Sequence, residues 1–318
     1  MTMGDAITMG DAMTLGDAMT LKVAGVPVEQ TFAEAFDMKA TRLIVTAETI
    51  DWARDAAAAM TGFGTSVIAC GIETAVETEL SADQTPDGRP GVAILAFAVS
   101  GKELEKQIPR RAGQCVLTCP TTALFAGIDG DKRIALGKQL RYFGDGFQIS
   151  KMIGGRRFWR VPVMDGEFLC EEDTARVDAV GGGNFLLLGR TLADVSRACR
   201  AATAAIAPLA GVITPFPGGA TRSGSKVGSK YSALFASTNE AYCPTLHGAV
   251  EQPFGDDVRA ILEVVIDGLT PESIATAMRV GITAACELVG PEGLVGVTAG
   301  NYGGKLGRHH FHLAEVLK

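Results

Sequence analysis

Two stretches of this 318-residue chain carry the same order of apolar periods, strand–helix–strand–strand–helix–strand, and this constrains the fold most. In the first, Arg42–Ala47 reads as a buried strand and Ile50–Met60 as a helix. A glycine stop at Gly62–Gly64 leads to a second strand over Thr65–Cys70. After the turn Thr85–Gly91 come a strand at Val92–Val99, a charged helix at Lys102–Arg111 and a strand at Cys115–Thr118. In the second stretch the elements are Asn184–Leu188, Leu192–Ile206, Val212–Thr214, Ala260–Ile266, Pro271–Leu288 and Val295–Ala299. Thr270 is placed to cap the last helix, with Pro271 at its first position. The pattern predicts an α+β fold of two ferredoxin-like lobes from an internal duplication, each an antiparallel sheet with helices on one face.

The lobes are expected over 23–130 and 177–318, bridged by strands within 131–176, including Phe158–Val163. A long Gly-rich insertion, 215–245, interrupts the second lobe. Residues 1–22 repeat Gly-Asp-Ala-x-Thr three times and read as a low-complexity extension that buries little by itself.

A net charge of −7 with no basic stripe argues against nucleic acid as partner. No uninterrupted apolar run reaches the roughly 18 residues of a membrane span. Asp5, Asp11 and Asp17 break any leader-like segment, and the seven scattered cysteines fit reduced thiols. These features predict a cytoplasmic protein with no membrane partner.

Familiar motifs are missing. The runs Gly181–Gly183, Pro217–Gly219 and Gly303–Gly304 do not form a dinucleotide or P-loop signature. Cys115 and Cys119, on a regular strand, would stand roughly 13 Å apart, too far to share zinc. His310 and His312 would share a strand face, but no carboxylate has ligand-like spacing, and no metal is expected. No G-x-S-x-G elbow supports a serine nucleophile.

Two regions can carry chemistry. Glu263 interrupts the apolar strand Ala260–Ile266; buried, it would favour the neutral acid that donates a hydrogen bond, whereas on a solvent face it would be an ordinary carboxylate. The loop Pro215–Lys230 sets Arg222, Lys226 and Lys230 among glycines and serines, which suits an anionic ligand or else an exposed, solvated loop. The apolar continuation Leu234–Pro244 favours a functional loop.

Segments along the whole chain then resemble one family. They include QTFAEAFDMKATRLIVTA (30–47), TGFGTSVIAC (61–70), TPDGRPGV (85–92), GQCVLTCPT (113–121), VPVMDGEF (161–168), SKVGSK (225–230), ASTNEAYCPT (236–245), VIDGL (265–269) and AGNYGGKLG (299–307). Together they resemble the formylmethanofuran–tetrahydromethanopterin formyltransferases, in the version found as one subunit of a methylotroph formyltransferase/hydrolase complex. The resemblance implies direct formyl transfer between tetrahydromethanopterin and the amine of a methanofuran-type carrier, with no tightly bound cofactor. Partners would be further copies of the chain, a tetramer being the expected form, and an amidohydrolase-like subunit. Glu263 falls on the strand that carries the family's leading catalytic glutamate. Arg222, Ser225, Lys226, Ser229, Lys230, Asn239, Tyr242 and Asn301 are the expected substrate-binding residues. Two readings compete: Cys243, in the constrained Tyr242-Cys-Pro244, as a formyl-accepting nucleophile, and a non-catalytic pterin-binding or scaffold subunit.

Overall fold

The computed structural model describes residues 21–318, so the Gly-Asp-Ala-x-Thr repeat lies outside them. The described chain opens with β1 (Leu21–Val23) and β2 (Val26–Val28), an antiparallel pair. The first lobe follows as β3 (Phe32–Thr46), α1 (Ile50–Thr61), α2 (Val67–Cys70), β4 (Glu73–Leu80), β5 (Gly91–Ala98), α3 (Gly101–Arg111) and β6 (Ala123–Ala126). A bridging region supplies β7 (Lys132–Ala135), α4 (Gly137–Leu140), β8 (Ile149–Ile153), β9 (Arg156–Val163) and β10 (Gly166–Glu171). The second lobe contains β11 (Asp173–Gly189), α5 (Leu192–Ile206), β12 (Val212–Ile213), β13 (Ser225–Val227), β14 (Ala236–Thr238), β15 (Ala260–Gly268), α6 (Pro271–Gly293), β16 (Leu294–Thr298), β17 (His309–His312) and α7 (Leu313–Val316).

All strands except the small hairpin β13–β14 join one mixed sheet, so the fold is α+β. In the first lobe the strand order is β6-β3-β5-β4, all antiparallel. The second lobe has the matching order β16-β11-β15-β12, also antiparallel. Parallel pairs enter where β10 joins β6 and β2 joins β16, beyond the wholly antiparallel expectation.

Helix periodicity explains one face of each lobe. In α5 the buried residues Val195, Ala198, Cys199, Ala202 and Ile206 form a single apolar stripe against Phe185, Leu187, Val264 and Ile266. Thr270 caps α6 through its hydroxyl, which accepts from Ser273 N at 3.1 Å, an interaction that contributes about 1 kcal/mol. This helix is long and apolar enough to cross a membrane, but its buried side, Ile274 to Cys286, packs into the second-lobe core.

Two expected strands are not strands. Over Thr65–Cys70, Ser66 accepts from Ile68 N and starts α2, and Gly71 stops it in the left-handed region; the strand falls at β4 instead. Cys115–Thr118 continues α3 as a wide turn, with Leu117 N donating to Ala112 O at 2.9 Å, and the strand is β6. Local capping and helix continuation outweigh two short apolar runs.

The lobes meet through a third apolar cluster, where Met38, Leu95 and Phe97 of the first pack on Ile213 and Leu269 of the second. Buried acids of β4 reinforce this seam. Glu77 forms a bidentate pair with Arg42 at 2.5 and 2.6 Å and accepts from Gly211 N at 2.6 Å. Glu73 meets Asp267 of β15. The run Gly181–Gly183 sits where β11 crosses the seam: a Cβ at Gly181 would fall 1.9 Å from Met38 Sδ, and one at Gly183 would fall 2.3 Å from Ile274. These glycines serve close packing rather than a nucleotide phosphate.

Candidate active site

Alternation along β15 sends Leu262, Val264 and Ile266 to the helices and leaves Ile261, Glu263 and Val265 on the opposite face. Glu263 stands across from Leu186 of β11, which stands across from Thr298 of β16, so the three form a row over adjacent strands. The insertion folds over this face. Thr221 and Glu263 exchange backbone hydrogen bonds of 2.8 and 2.9 Å, and a Cβ on Gly224 would lie 3.5 Å from Glu263 Oε2.

Among the described residues no donor reaches the Glu263 carboxyl, and burial pushes its pKa up to about 7. The residue is only half-buried, so surrounding protein, not full enclosure, disfavours its charge. At neutral pH it is therefore divided between acid and carboxylate, and its partial exposure leaves it open to a ligand.

Tyr242 closes one end of the row. Its ring packs on Phe254 at 6.2 Å between centroids, its phenol bonds to Thr298, and burial pushes its pKa up to about 12. Asn239 holds the loop by backbone bonds: its N–H donates to Gly224 O at 3.0 Å, and its carbonyl accepts from Tyr242 N at 3.0 Å. Ser225 faces Thr238 in the β13–β14 hairpin, and the Ser229 hydroxyl accepts from Tyr231 N at 3.0 Å. The three cations diverge. Lys226 forms an ion pair with Glu240, Lys230 is exposed just beyond the same hairpin strand, and Arg222 edges a cavity of about 460 Å³. That cavity also touches Cys199 and Leu262 and lies on the helix side of β15, away from Glu263.

Asn301 turns its side chain to Thr31 Oγ1 and Phe32 O, at 3.3 and 3.2 Å, and accepts from Gly303 N. Cys243 donates to Asn239 O at 3.4 Å, and among the described residues no base contacts its thiol. His310 and His312 do share a face, both against Phe32, while His309 meets Asp37 at 2.9 Å. Among the described residues no three His, Cys, Asp or Glu side chains group as metal ligands.

Three residues not singled out from the sequence belong to this region: Thr298, Tyr302 and Glu34. Tyr302 packs on Phe36 at 6.0 Å between ring centroids, and burial, then the charges of Glu263 and Glu34, raise its phenol pKa. Glu34 lies between Ala33 and Ala35 but shares its strand with Asp37 and Lys39, so the lone-charge signal that marks Glu263 is missing there.

Comparison with known proteins matches the described chain in two parts. Residues 21–163 match the family model for formylmethanofuran–tetrahydromethanopterin formyltransferase, and 166–316 match the model for its proximal lobe. A protein of Rhodopirellula baltica named formylmethanofuran–tetrahydromethanopterin formyltransferase is 65% identical, over 93% of each chain. A protein of Methylorubrum extorquens named as a subunit of its formyltransferase/hydrolase complex is 53% identical, over 92% of this chain and 96% of that one. The crystal structure of that organism's formyltransferase/hydrolase complex with methylofuran contains a chain that superposes with a TM-score of 0.91, at 52% identity, over 94% and 99% of the two chains.

The two-lobed chain is thus an acyl-group-transferring enzyme. It belongs to the formylmethanofuran–tetrahydromethanopterin formyltransferase family. The relatives are named as transferases, which sets aside the scaffold reading.

Proposed function

We propose that this chain moves a formyl group between N5 of a tetrahydromethanopterin-type pterin and the amine of a methanofuran or methylofuran carrier, by direct attack in a ternary complex. The carrying observation is Glu263, an acid whose pKa burial raises to about 7, on the face of β15 that the insertion covers. The amine attacks the formyl carbon, giving a tetrahedral oxyanion. The oxyanion collapses as the C–N bond to the pterin breaks; the amine proton leaves and the pterin nitrogen gains one. No enzyme nucleophile is needed, so the protein's task is alignment and charge stabilisation. Protonated Glu263 donates to the oxyanion, and backbone N–H groups of the 215–245 insertion assist. The test is formyl transfer by wild type and Glu263→Ala; an active wild type with an equally active, folded variant overturns the role of Glu263.

The remaining site residues follow from the same reading. Tyr242 and Asn239 shape the site beside Thr298; Ser225 and Ser229 line it through their loop, and Asn301 frames the loop after β16; Arg222, Lys226 and Lys230 attract an acidic carrier tail. The matching strand orders of the two lobes support a pair of ferredoxin-like units from one duplication, over 23–130 and 177–318, with 131–176 as the bridge. The relation to a subunit of the formyltransferase/hydrolase complex of Methylorubrum extorquens supports assembly with a hydrolase subunit, which we take to be amidohydrolase-like; a homo-oligomer, a cytoplasmic location and net flow toward formate belong to the same reading.

A further inference from the structure

Two sequence segments far apart in the chain, 30–47 and 299–307, meet at one carboxylate that the mechanism above does not use. Glu34 of β3 is 1% exposed, and its carboxylate is held by backbone N–H groups. Its Oε2 accepts from Tyr302 N at 2.7 Å and Gly304 N at 2.8 Å, and its Oε1 accepts from Leu306 N and Gly307 N, both at 2.6 Å. These four bonds hold its pKa below the usual carboxylate range despite burial. The fit is tight, since a Cβ on Gly307 would lie 2.9 Å from Glu34 Cγ and 2.3 Å from Ala35 O.

The same loop is gripped at its start. Gly300 N donates to Asn184 Oδ1 at 2.6 Å, Asn184 Nδ2 donates back to Gly300 O at 3.1 Å, and Glu34 N donates to that carbonyl at 3.1 Å. Asn184 lies on β11 two residues before Leu186, on the face that carries Glu263. The clamps therefore converge on a segment leaving β16 just after Thr298, the end of the Glu263–Leu186–Thr298 row. Between them stands one side chain with a hydroxyl, Tyr302, backed by Phe36 and within electrostatic reach of Glu263.

We propose that Tyr302 is a further residue of the transfer site, its phenol donating to the reacting groups beside Glu263, and that Glu34 is a positioning residue that holds it there. Tyr302 stays neutral throughout and acts only as a hydrogen-bond donor. Asn301, whose amide is committed to Thr31 and Phe32, is then part of the loop's frame rather than of the ligand contacts. The proposal rests on the formyl-transfer reading.

The experiment is steady-state formyl transfer, with both carriers, by wild type, Tyr302→Phe, Glu34→Gln and the double variant. Tyr302→Phe keeps the ring against Phe36 and is expected to lower kcat by about a hundredfold, the lower end of the range for one lost oxyanion donor, with little change in either KM. Glu34→Gln sets an amide N–H₂ against two backbone donors and is expected to lower kcat in the same way. If Glu34 acts through Tyr302, the double variant is no slower than Glu34→Gln alone. Wild-type kcat in Tyr302→Phe overturns the proposal, as do multiplicative losses in the double variant for the positioning role of Glu34. Absence of transfer by wild type would instead overturn the functional reading. Should Glu34→Gln fail to fold, Tyr302→Phe alone decides.

Discussion

Glu73 of β4 and Asp267 of β15 bring two buried carboxyls together across the seam, one from each lobe. Burial pushes both acids up, and the charge of Glu73 adds to the rise at Asp267, so the uncharged form is favoured at the pair. Its outer oxygens are already engaged: Glu73 Oε1 accepts from Val67 N at 3.0 Å, and Asp267 Oδ1 accepts from Gly182 N at 3.0 Å.

This fixes a sign. Burial raises both folded-state pKa values above their unfolded ones, so the pair's stabilisation is present at acid pH and is lost as pH rises above the ordinary carboxylate range of about 4. Asp267→Asn supplies an amide donor to Glu73 and keeps an acceptor for Gly182. Its melting temperature should therefore gain on wild type as pH rises from 5 to 9. A constant difference across that range would show that the pair does not titrate with folding.

Glu263, with its pKa raised to about 7, should give transfer a limb that falls as pH rises through that value. Glu263→Gln keeps a neutral donor and should lose the limb, while Glu263→Ala should lose about 10²–10³ in kcat. Rate profiles from pH 5.5 to 9 separate the three. Identical limbs in wild type and Glu263→Gln would assign the titration to another group.

The cations of the insertion should not act alike. Arg222 and Lys230 are exposed, whereas Lys226 is committed to Glu240. Arg222→Gln and Lys230→Gln should each raise the KM for an acidic carrier by up to about fivefold at low salt, the effect fading as salt screens the charge. Lys226→Gln should change it less. Unchanged KM in a triple variant at low salt would exclude electrostatic capture.

At Gly183 there is no room for a side chain, because Ile274 Cγ2 lies 2.3 Å from where a Cβ would be. Gly183→Ala should cost about 1–3 kcal/mol by overpacking, measurable by urea unfolding. A stability equal to wild type would mean that α6 shifts outward at little cost.

The helices are legible in the sequence because period and capping are local: Thr270-Pro271 begins α6 and Thr191 begins α5, and each is visible within a few residues. Thr65–Cys70 and Cys115–Thr118 depart from the expected strands because runs of four to six residues do not distinguish strand from helix. Glu263 is marked as a single charge in an apolar strand. Glu34 and Glu73 carry no such signal, because each shares its strand with other charged residues, and Asp267 follows the apolar run Ala260–Ile266 rather than interrupting it. What they do depends on partners far away in the chain, Gly307 for Glu34 and Glu73 for Asp267. Composition and periodicity contain nothing about such pairings. The loop over Glu263 is likewise readable as glycine-rich and basic, but not its bond from Thr221 to β15.

β11 runs seventeen residues, pairing with β7 and β3 near its start and with β15 and β16 near its end. The two family segments meet between residues 163 and 166, at the tip of a hairpin whose strands β9 and β10 are paired along six positions. A cut there would part β9 from β10 and strip β3 of its neighbour β11. The lobes are thus halves in sequence but not exchangeable modules in the present chain: neither keeps its strand neighbours without the other, and the chain should melt as a single cooperative unit.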